Sequence, residues 1–202
     1  TPTTIKTRFL AGHQQLLRVD HEVTHPIEET LESQLISLVK KAVPEFDALI
    51  LSDYGKGVLT NKVIAAAIQT ATDNKIPVLV DPKGNDYLKY KGATIVTPNR
   101  KELSKAANNA PTESDSEIVI AAEHVLTAAR IDSMVATRSQ DGMSVIAKNR
   151  SGAGFERPIH LRTNAKEVFD VSGAGDTVIA TIAAAIAAGG TLTESAALAN
   201  IA

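Results

Sequence analysis

The stretch FDALILSDYGKGVLTNKVIAAAIQTATDNKIPVLV, residues 46–80, decides the fold class. It opens on residues 46–51, apolar except for Asp47, of the kind needed by a strand buried on both faces. A polar loop carrying Gly55 and Gly57 follows, and then Val63, Ile64, Ala67, Ile68 and Ala71 recur at the spacing of one helix face. A second apolar run, residues 76–80, closes the stretch. Strand, helix and strand in that order form a βα unit, and such units build a parallel sheet because the crossover helix returns the chain to its starting edge.

The pattern extends in both directions. Residues 93–96 are a third apolar run, and the second and third runs end in the proline turns Asp81-Pro82-Lys83 and Thr97-Pro98-Asn99. Ile118, Val119, Ala122, Val125, Leu126 and Ala129 repeat at helical spacing, and residues 133–137 read as a further strand. Gln140-Asp141-Gly142 turns that strand into residues 143–147, a hairpin. Residues 149–154 form a Gly/Ser loop with the look of an insertion, and residues 155–161 an edge strand. Residues 174–188 are an alanine-rich helix closed by Gly189-Gly190, and Thr193 is expected to cap a last one. Toward the N-terminus, Leu31, Leu35, Leu38, Val39 and Ala42 mark a helix that ends before Pro44. Residues 5–10 and 14–20 alternate apolar and polar side chains, as a half-exposed antiparallel pair does.

Composition narrows the function. The 202 residues, 44% hydrophobic and 22% charged, have the makeup of one globular domain, and a formal net charge of −2 leaves no basic field for nucleic acid or membrane. The chain has no Cys, which removes disulfides and thiolate metal sites. Aromatics at 3% with no Trp argue against base-stacking platforms. No apolar run approaches the roughly 20 residues of a membrane span and no signal-peptide layout opens the chain, so the expected location is cytoplasmic.

Chemistry concentrates at Gly173-Ala174-Gly175-Asp176, where an extended segment turns into the alanine-rich helix. Two glycines let a ligand approach the backbone, and the free amides of a first helical turn favour an anion. Asp176, in that turn, would stand beside a bound phosphoryl group and can accept the proton of an attacking hydroxyl. The alternative is that the glycines serve tight packing and Asp176 only complements the helix dipole. Gly55-Lys56-Gly57 fails as a P-loop for want of the Ser/Thr and the upstream Gly, and Gly173-Ala174-Gly175 fails the dinucleotide pattern at Val178. The five His form no zinc motif, and His124 reads as a solvated helix residue. The remaining polar clusters, Ser52 to Gly57, Asp81-Pro82-Lys83-Gly84, Pro98-Asn99-Arg100-Lys101-Glu102 and Thr137-Arg138-Ser139, all follow predicted strands, where open α/β sheets bind ligands. Each alone is an ordinary polar turn; together they suggest a composite site.

These blocks carry a resemblance. Gly173-Ala174-Gly175-Asp176, Asn99-x-x-Glu102 and Thr137 to Gly142 resemble the ribokinase-like (PfkB) carbohydrate kinase family. Within it, the heptose-phosphate kinases are most similar, through Lys6-Thr7-Arg8, the block His13 to Asp20, Ser52-Asp53-Tyr54-Gly55-Lys56-Gly57, Asp81-Pro82-Lys83-Gly84 and Asp170 to Thr177. The resemblance implies a ribokinase-like three-layer α/β sandwich with a central, mostly parallel sheet. It implies ATP-dependent phosphorylation of D-glycero-β-D-manno-heptose 7-phosphate at O1, in ADP-heptose and lipopolysaccharide synthesis. Asp176 would be the base and the amides of Gly173, Ala174 and Gly175 the anion hole. Asn99 and Glu102 would organise Mg²⁺ and the nucleotide phosphates, partly through water, with Arg100 and Lys101 beside them. Thr137, Arg138, Ser139 and Gly142 would line the nucleotide, with Asn200 near the adenine. Asp53, Lys56 and Lys83 would face the substrate. The partners implied are a sugar phosphate and ATP, with a homodimer left open.

Against that family pattern the chain departs in the mild change to Ser172 and in residues 149–154. It is expected to be an internal piece: residues 1–25 resemble part of the sugar-binding lid, residues 26–202 the nucleotide-binding core, and no adenylyltransferase module is present. Without the rest of the lid the isolated chain is expected to bind ATP weakly and transfer little, while a longer chain would be active. Another sugar kinase of the same fold, or a non-catalytic nucleotide-binding fragment, remain as alternative readings.

Overall fold

A computed structural model describes residues 3–12, 14–149, 151, 154–163 and 173–201. Asp170, Val171 and Ser172, His13 and three positions of the loop at 149–154 lie outside the described residues. Strands β1 (Ile5–Ala11) and β2 (Gln14–His21) pair antiparallel in a sheet of their own, with a register shift between Phe9 and Leu10. Helix α1 (Glu29–Ala42) leads into β3 (Leu49–Ser52), α2 (Asn61–Asp73), β4 (Val78–Asp81), β5 (Ile95–Val96), α3 (Arg100–Ala106) and α4 (Asp115–Ala129). Then come β6 (Ser133–Thr137), β7 (Met143–Ala147), β8 (Ile159–Leu161), α5 (Ala174–Ala187) and α6 (Leu192–Ala199).

Strands β3 to β8 form a six-stranded sheet in sequence order, parallel through β6 and antiparallel at β7 and β8. Because side chains alternate along a strand, each strand feeds both faces. Val78, Val80, Val96, Met134 and Ala136 pack toward Ile64, Leu103, Ile118 and Leu126 of α2, α3 and α4. Leu79, Ile95 and Val135 pack toward Val178, Ile179, Ile182 and Ala196 of α5 and α6. This is the expected three-layer sandwich, and the carboxyl ends of the parallel strands lie along one edge.

Three boundaries differ from the sequence reading. The first sheet strand begins at Leu49 rather than Phe46, because Pro44 starts a 3₁₀ turn that the Phe46 amide closes onto the Val43 carbonyl at 3.1 Å, leaving Phe46 61% exposed. The last helix is capped by Thr191, whose hydroxyl accepts from the Glu194 amide while Glu194 reaches back to the Thr191 amide, so Thr193 lies inside the helix. The expected edge strand at 155–161 is reduced to Ile159–Leu161, with Phe155 making only an isolated bridge to Lys148. His124 is exposed, as expected. Among the described residues no helix is long and apolar enough to cross a membrane.

Candidate active site

Helix α5 starts at Gly173, which is left-handed at φ 79° and has no side-chain cap. A left-handed residue at that position is most easily a glycine, and glycine has no side chain with which to cap the first-turn amides. A Cβ added at Gly173 or Gly175 would meet no described atom within 4 Å. Asp176 is exposed in this first turn, and the Tyr54 hydroxyl lies 3.2 and 3.5 Å from its two carboxylate oxygens.

Tyr54 belongs to the loop after β3, and the next strand ends complete the arrangement. Asp81 closes β4; burial first, then the neighbouring Glu102 and Asp176 carboxylates, push its acid up to about 6, with Lys83 pulling the other way. The Lys83 ammonium lies 3.1 Å from Glu102 Oε1. Asn99 caps α3 in a reciprocal box: its side chain accepts from the Glu102 amide at 3.0 Å and Glu102 Oε2 accepts from the Asn99 amide at 3.1 Å. Thr137, at the end of β6, bridges to Asn99. Thus Tyr54, Asp81, Lys83, Asn99, Glu102, Thr137 and Asp176 come together from four strand ends and one helix N-terminus, the position at which open α/β sheets bind ligands.

Asp53 is placed differently. Its side chain is 3% exposed, and its oxygens accept from Tyr90 Oη at 2.6 Å, Lys89 Nζ at 2.7 Å and the Gly55 amide at 2.7 Å. Burial pushes the Asp53 acid up, and those three donors together outweigh it and hold the group below its ordinary range. The Tyr90 hydroxyl also accepts from the Lys83 amide at 3.0 Å, so Asp53 and Tyr90 knot the loop after β3 to the loop after β4. Lys56 is ion-paired with Glu22, just past β2.

On the nucleotide side, Arg138 is buried, with its guanidinium on Asp115 at 2.5 Å and on the Ser144 hydroxyl at 3.2 Å. Arg100 pairs with Asp141 at 2.5 Å, and Lys101 is exposed. Ser139 is left-handed at φ 53°, and Gly142 sits at φ 86° where a Cβ would lie 1.9 Å from the Leu161 carbonyl oxygen. Asn200 donates its amide to the Arg162 carbonyl at 2.9 Å. Arg100, Arg138, Asp115, Asp141 and His160 line a cleft of about 370 Å³ adjoining that turn. The sequence reading missed Tyr54, Asp81 and Tyr90 as site residues; Tyr54 and Asp81 lie inside blocks it had marked, whereas Tyr90 left no local signal.

Among the described residues no three His, Asp or Glu side chains already form a metal cage. Asp81, Glu102 and Asn99 instead offer an all-oxygen set in which two carboxylates face the single Lys83 ammonium, which fits a hard divalent ion that keeps water and phosphate in its shell.

The sequence matches the description pfkB family carbohydrate kinase across residues 1–202. The chain belongs to that family. The pfkB assignment agrees with its relatives: it is 48% identical over 200 residues to the "Bifunctional protein HldE" of Paramagnetospirillum magneticum and 47% identical to that of Rhodospirillum rubrum. Those alignments take in 99% of this chain and 40% and 39% of the relatives, so the chain spans about two fifths of their length. Solved pfkB-like folds superpose on it. Escherichia coli phosphofructokinase-2 in complex with substrates and products gives a TM-score of 0.72 at 20% identity, covering 96% of this chain and 60% of that one. Arabidopsis thaliana ribokinase complexed with ribose and ATP gives 0.68 at 18% identity, covering 93% and 57%.

Proposed function

We propose that this chain builds the phosphoryl-transfer site of an ATP-dependent sugar-phosphate kinase whose acceptor is the anomeric hydroxyl of D-glycero-β-D-manno-heptose 7-phosphate. The observation that carries the reading is the N-terminus of α5, led by the left-handed Gly173, with Asp176 turned toward the strand-end cluster. The acceptor hydroxyl gives its proton to Asp176, its oxygen bonds to the γ-phosphorus, and the bond from that phosphorus to the β-phosphate oxygen breaks, releasing ADP. Amides of Gly173, Ala174 and Gly175 face the charge that grows on the transferred group, the electrostatic contribution expected to dominate. Mg²⁺, held by Glu102 and Asn99 with Asp81 nearby, supplies charge neutralisation on the phosphates when bound. Lys83 is drawn toward the same place by Glu102 and provides a cation for phosphate.

Thr137, Ser139 and Gly142 shape the turn that receives the nucleotide, with Arg138 and Arg100 holding that turn from behind and Lys101 and Asn200 at its margins. Lys56 serves the acceptor side, and Asp53 supports it by fixing both loops. Residues 1–25 act as lid and residues 26–202 as core.

The test is phosphoryl transfer from ATP across a panel of sugar phosphates, on the 202-residue chain and on a chain extended to the length of its relatives. The reading expects transfer to the heptose 7-phosphate, strongest in the longer chain. Transfer to a different sugar alone would replace the substrate, and nucleotide binding with no transfer by either chain would overturn the kinase reading.

A further inference from the structure

The Tyr54 hydroxyl lies 3.2 and 3.5 Å from the two Asp176 carboxylate oxygens, across 122 residues of sequence. Packing does not put it there, since Tyr54 is 56% exposed. Its backbone does. Asp53 Oδ1 holds the Gly55 amide at 2.7 Å, and the Gly57 carbonyl accepts from the Ile27 amide at 3.0 Å. Gly57, at φ 84°, approaches the 25–26 backbone so closely that a Cβ would lie 2.0 Å from the His25 oxygen. Lys56 is tied to Glu22 beyond the hairpin. The loop is therefore pinned on both sides of Tyr54, and the phenol reaches the carboxylate from a fixed origin.

We propose that Tyr54 is a positioning residue that reserves Asp176 for the sugar hydroxyl, a step that rests on Asp176 being the base. A carboxylate in an open first turn is accessible to water, which can also give up a proton there. Water's oxygen would then bond to the γ-phosphorus as the bond to ADP breaks, releasing inorganic phosphate without product. The phenol occupies the carboxylate oxygens and fixes their orientation. An acceptor bound in line is positioned to displace it, whereas a single water gains too few contacts to do so.

The experiment compares wild type, Tyr54→Phe, Asp176→Asn and the double variant in the full-length protein. It follows ADP release without acceptor and phosphoryl transfer with the sugar phosphate. A net hydrogen bond to a charged group corresponds to a factor of roughly ten. Tyr54→Phe should therefore raise acceptor-free hydrolysis relative to phosphoryl transfer about tenfold, and adding Asp176→Asn should abolish the rise. A purely structural role would leave the ratio of hydrolysis to transfer unmoved. If transfer proceeds as proposed and Tyr54→Phe leaves hydrolysis unchanged, or raises it equally without Asp176, the inference falls alone. If no sugar accepts phosphate yet hydrolysis rises through Asp176, the shielding of Asp176 from water by Tyr54 stands, while the sugar acceptor it is reserved for falls with the proposed function.

Discussion

Replacing Tyr90 by Phe removes one oxygen from the knot that joins the loops after β3 and β4. Tyr90 is fully buried, and its ring packs edge-on against Tyr87 at 5.8 Å, so the substitution keeps the packing. What disappears is the donor to Asp53 Oδ2 at 2.6 Å and the acceptor for the Lys83 amide at 3.0 Å. A hydrogen bond to a charged group is worth about 1.5–3 kcal/mol, and the second, partly wetted one about 0.5–1.5 kcal/mol. The sum, about 2–4 kcal/mol, lowers Tm by roughly 5–15 °C in a domain of this size. Tyr87→Phe is the internal control: the Tyr87 hydroxyl is buried without a partner among the described residues, so its loss should cost almost nothing.

The Tyr90 prediction has a pH signature. The Asp53 acid is held below its ordinary value of 3.8, so its contribution is complete above that pH and is lost as pH falls through the lowered value. Tyr90→Phe weakens that hold. The stability gap between the variant and wild type should be full at neutral pH and narrow as the solution is acidified past the ordinary aspartate range. Urea titrations followed by circular dichroism read both effects. A Tyr90→Phe protein melting within about 1 °C of Tyr87→Phe, at a resolution well inside the shift expected for 1 kcal/mol, would refute the load assigned to the knot.

Three further outcomes follow from the site. Asp81 carries an acid raised to about 6, so the folded state binds its proton more tightly than the unfolded chain and loses that stability as pH rises from about 4 to 6; Asp81→Asn should therefore raise Tm at pH 7 relative to pH 4, and an equal change at both would contradict it. Gly142→Ala places a Cβ 1.9 Å from the Leu161 oxygen at φ 86°. The expected loss is about 1–3 kcal/mol of backbone strain plus displacement of the turn, read as a lower Tm and weaker nucleotide binding by calorimetry; wild-type values for both would sink the argument. Glu102→Gln removes the charge that faces Lys83 and the proposed ion, so transfer should need more Mg²⁺ and recover partly in excess metal. A Mg²⁺ titration superimposable on wild type would take Glu102 out of the site.

The sheet was legible because its strands announce themselves twice, as apolar runs and as the polar turns that end them. Val63, Ile64, Ala67, Ile68 and Ala71, chosen by spacing alone, are the buried face of α2. Ends were harder. Phe46 is as apolar as the strand it precedes, and only the 3₁₀ turn begun by Pro44 explains why it faces solvent. Thr191 and Thr193 are chemically equivalent caps, and the choice is made by Glu194 standing three residues after Thr191. In the site, local motifs were visible and their tertiary partners were not. Asp53 and Lys83 look alike as polar residues after strands, yet one is sealed under Tyr90 and Lys89 while the other reaches Glu102 in the open. Partners separated by 36 or 37 positions leave no periodic trace, so neither the knot nor the contact of Tyr54 with Asp176 could be read before the fold.

The central claim is that Asp176 takes the proton of the sugar hydroxyl. Its most direct test is Asp176→Asn, which keeps the shape and removes the acceptor, followed by single-turnover phosphoryl transfer with nucleotide affinity measured on the same protein. The account predicts a fall in transfer of about 10²-fold or more, with ATP bound nearly as tightly as by wild type. Transfer at the wild-type rate would contradict it, and would return Asp176 to the role of a charge that merely complements the helix.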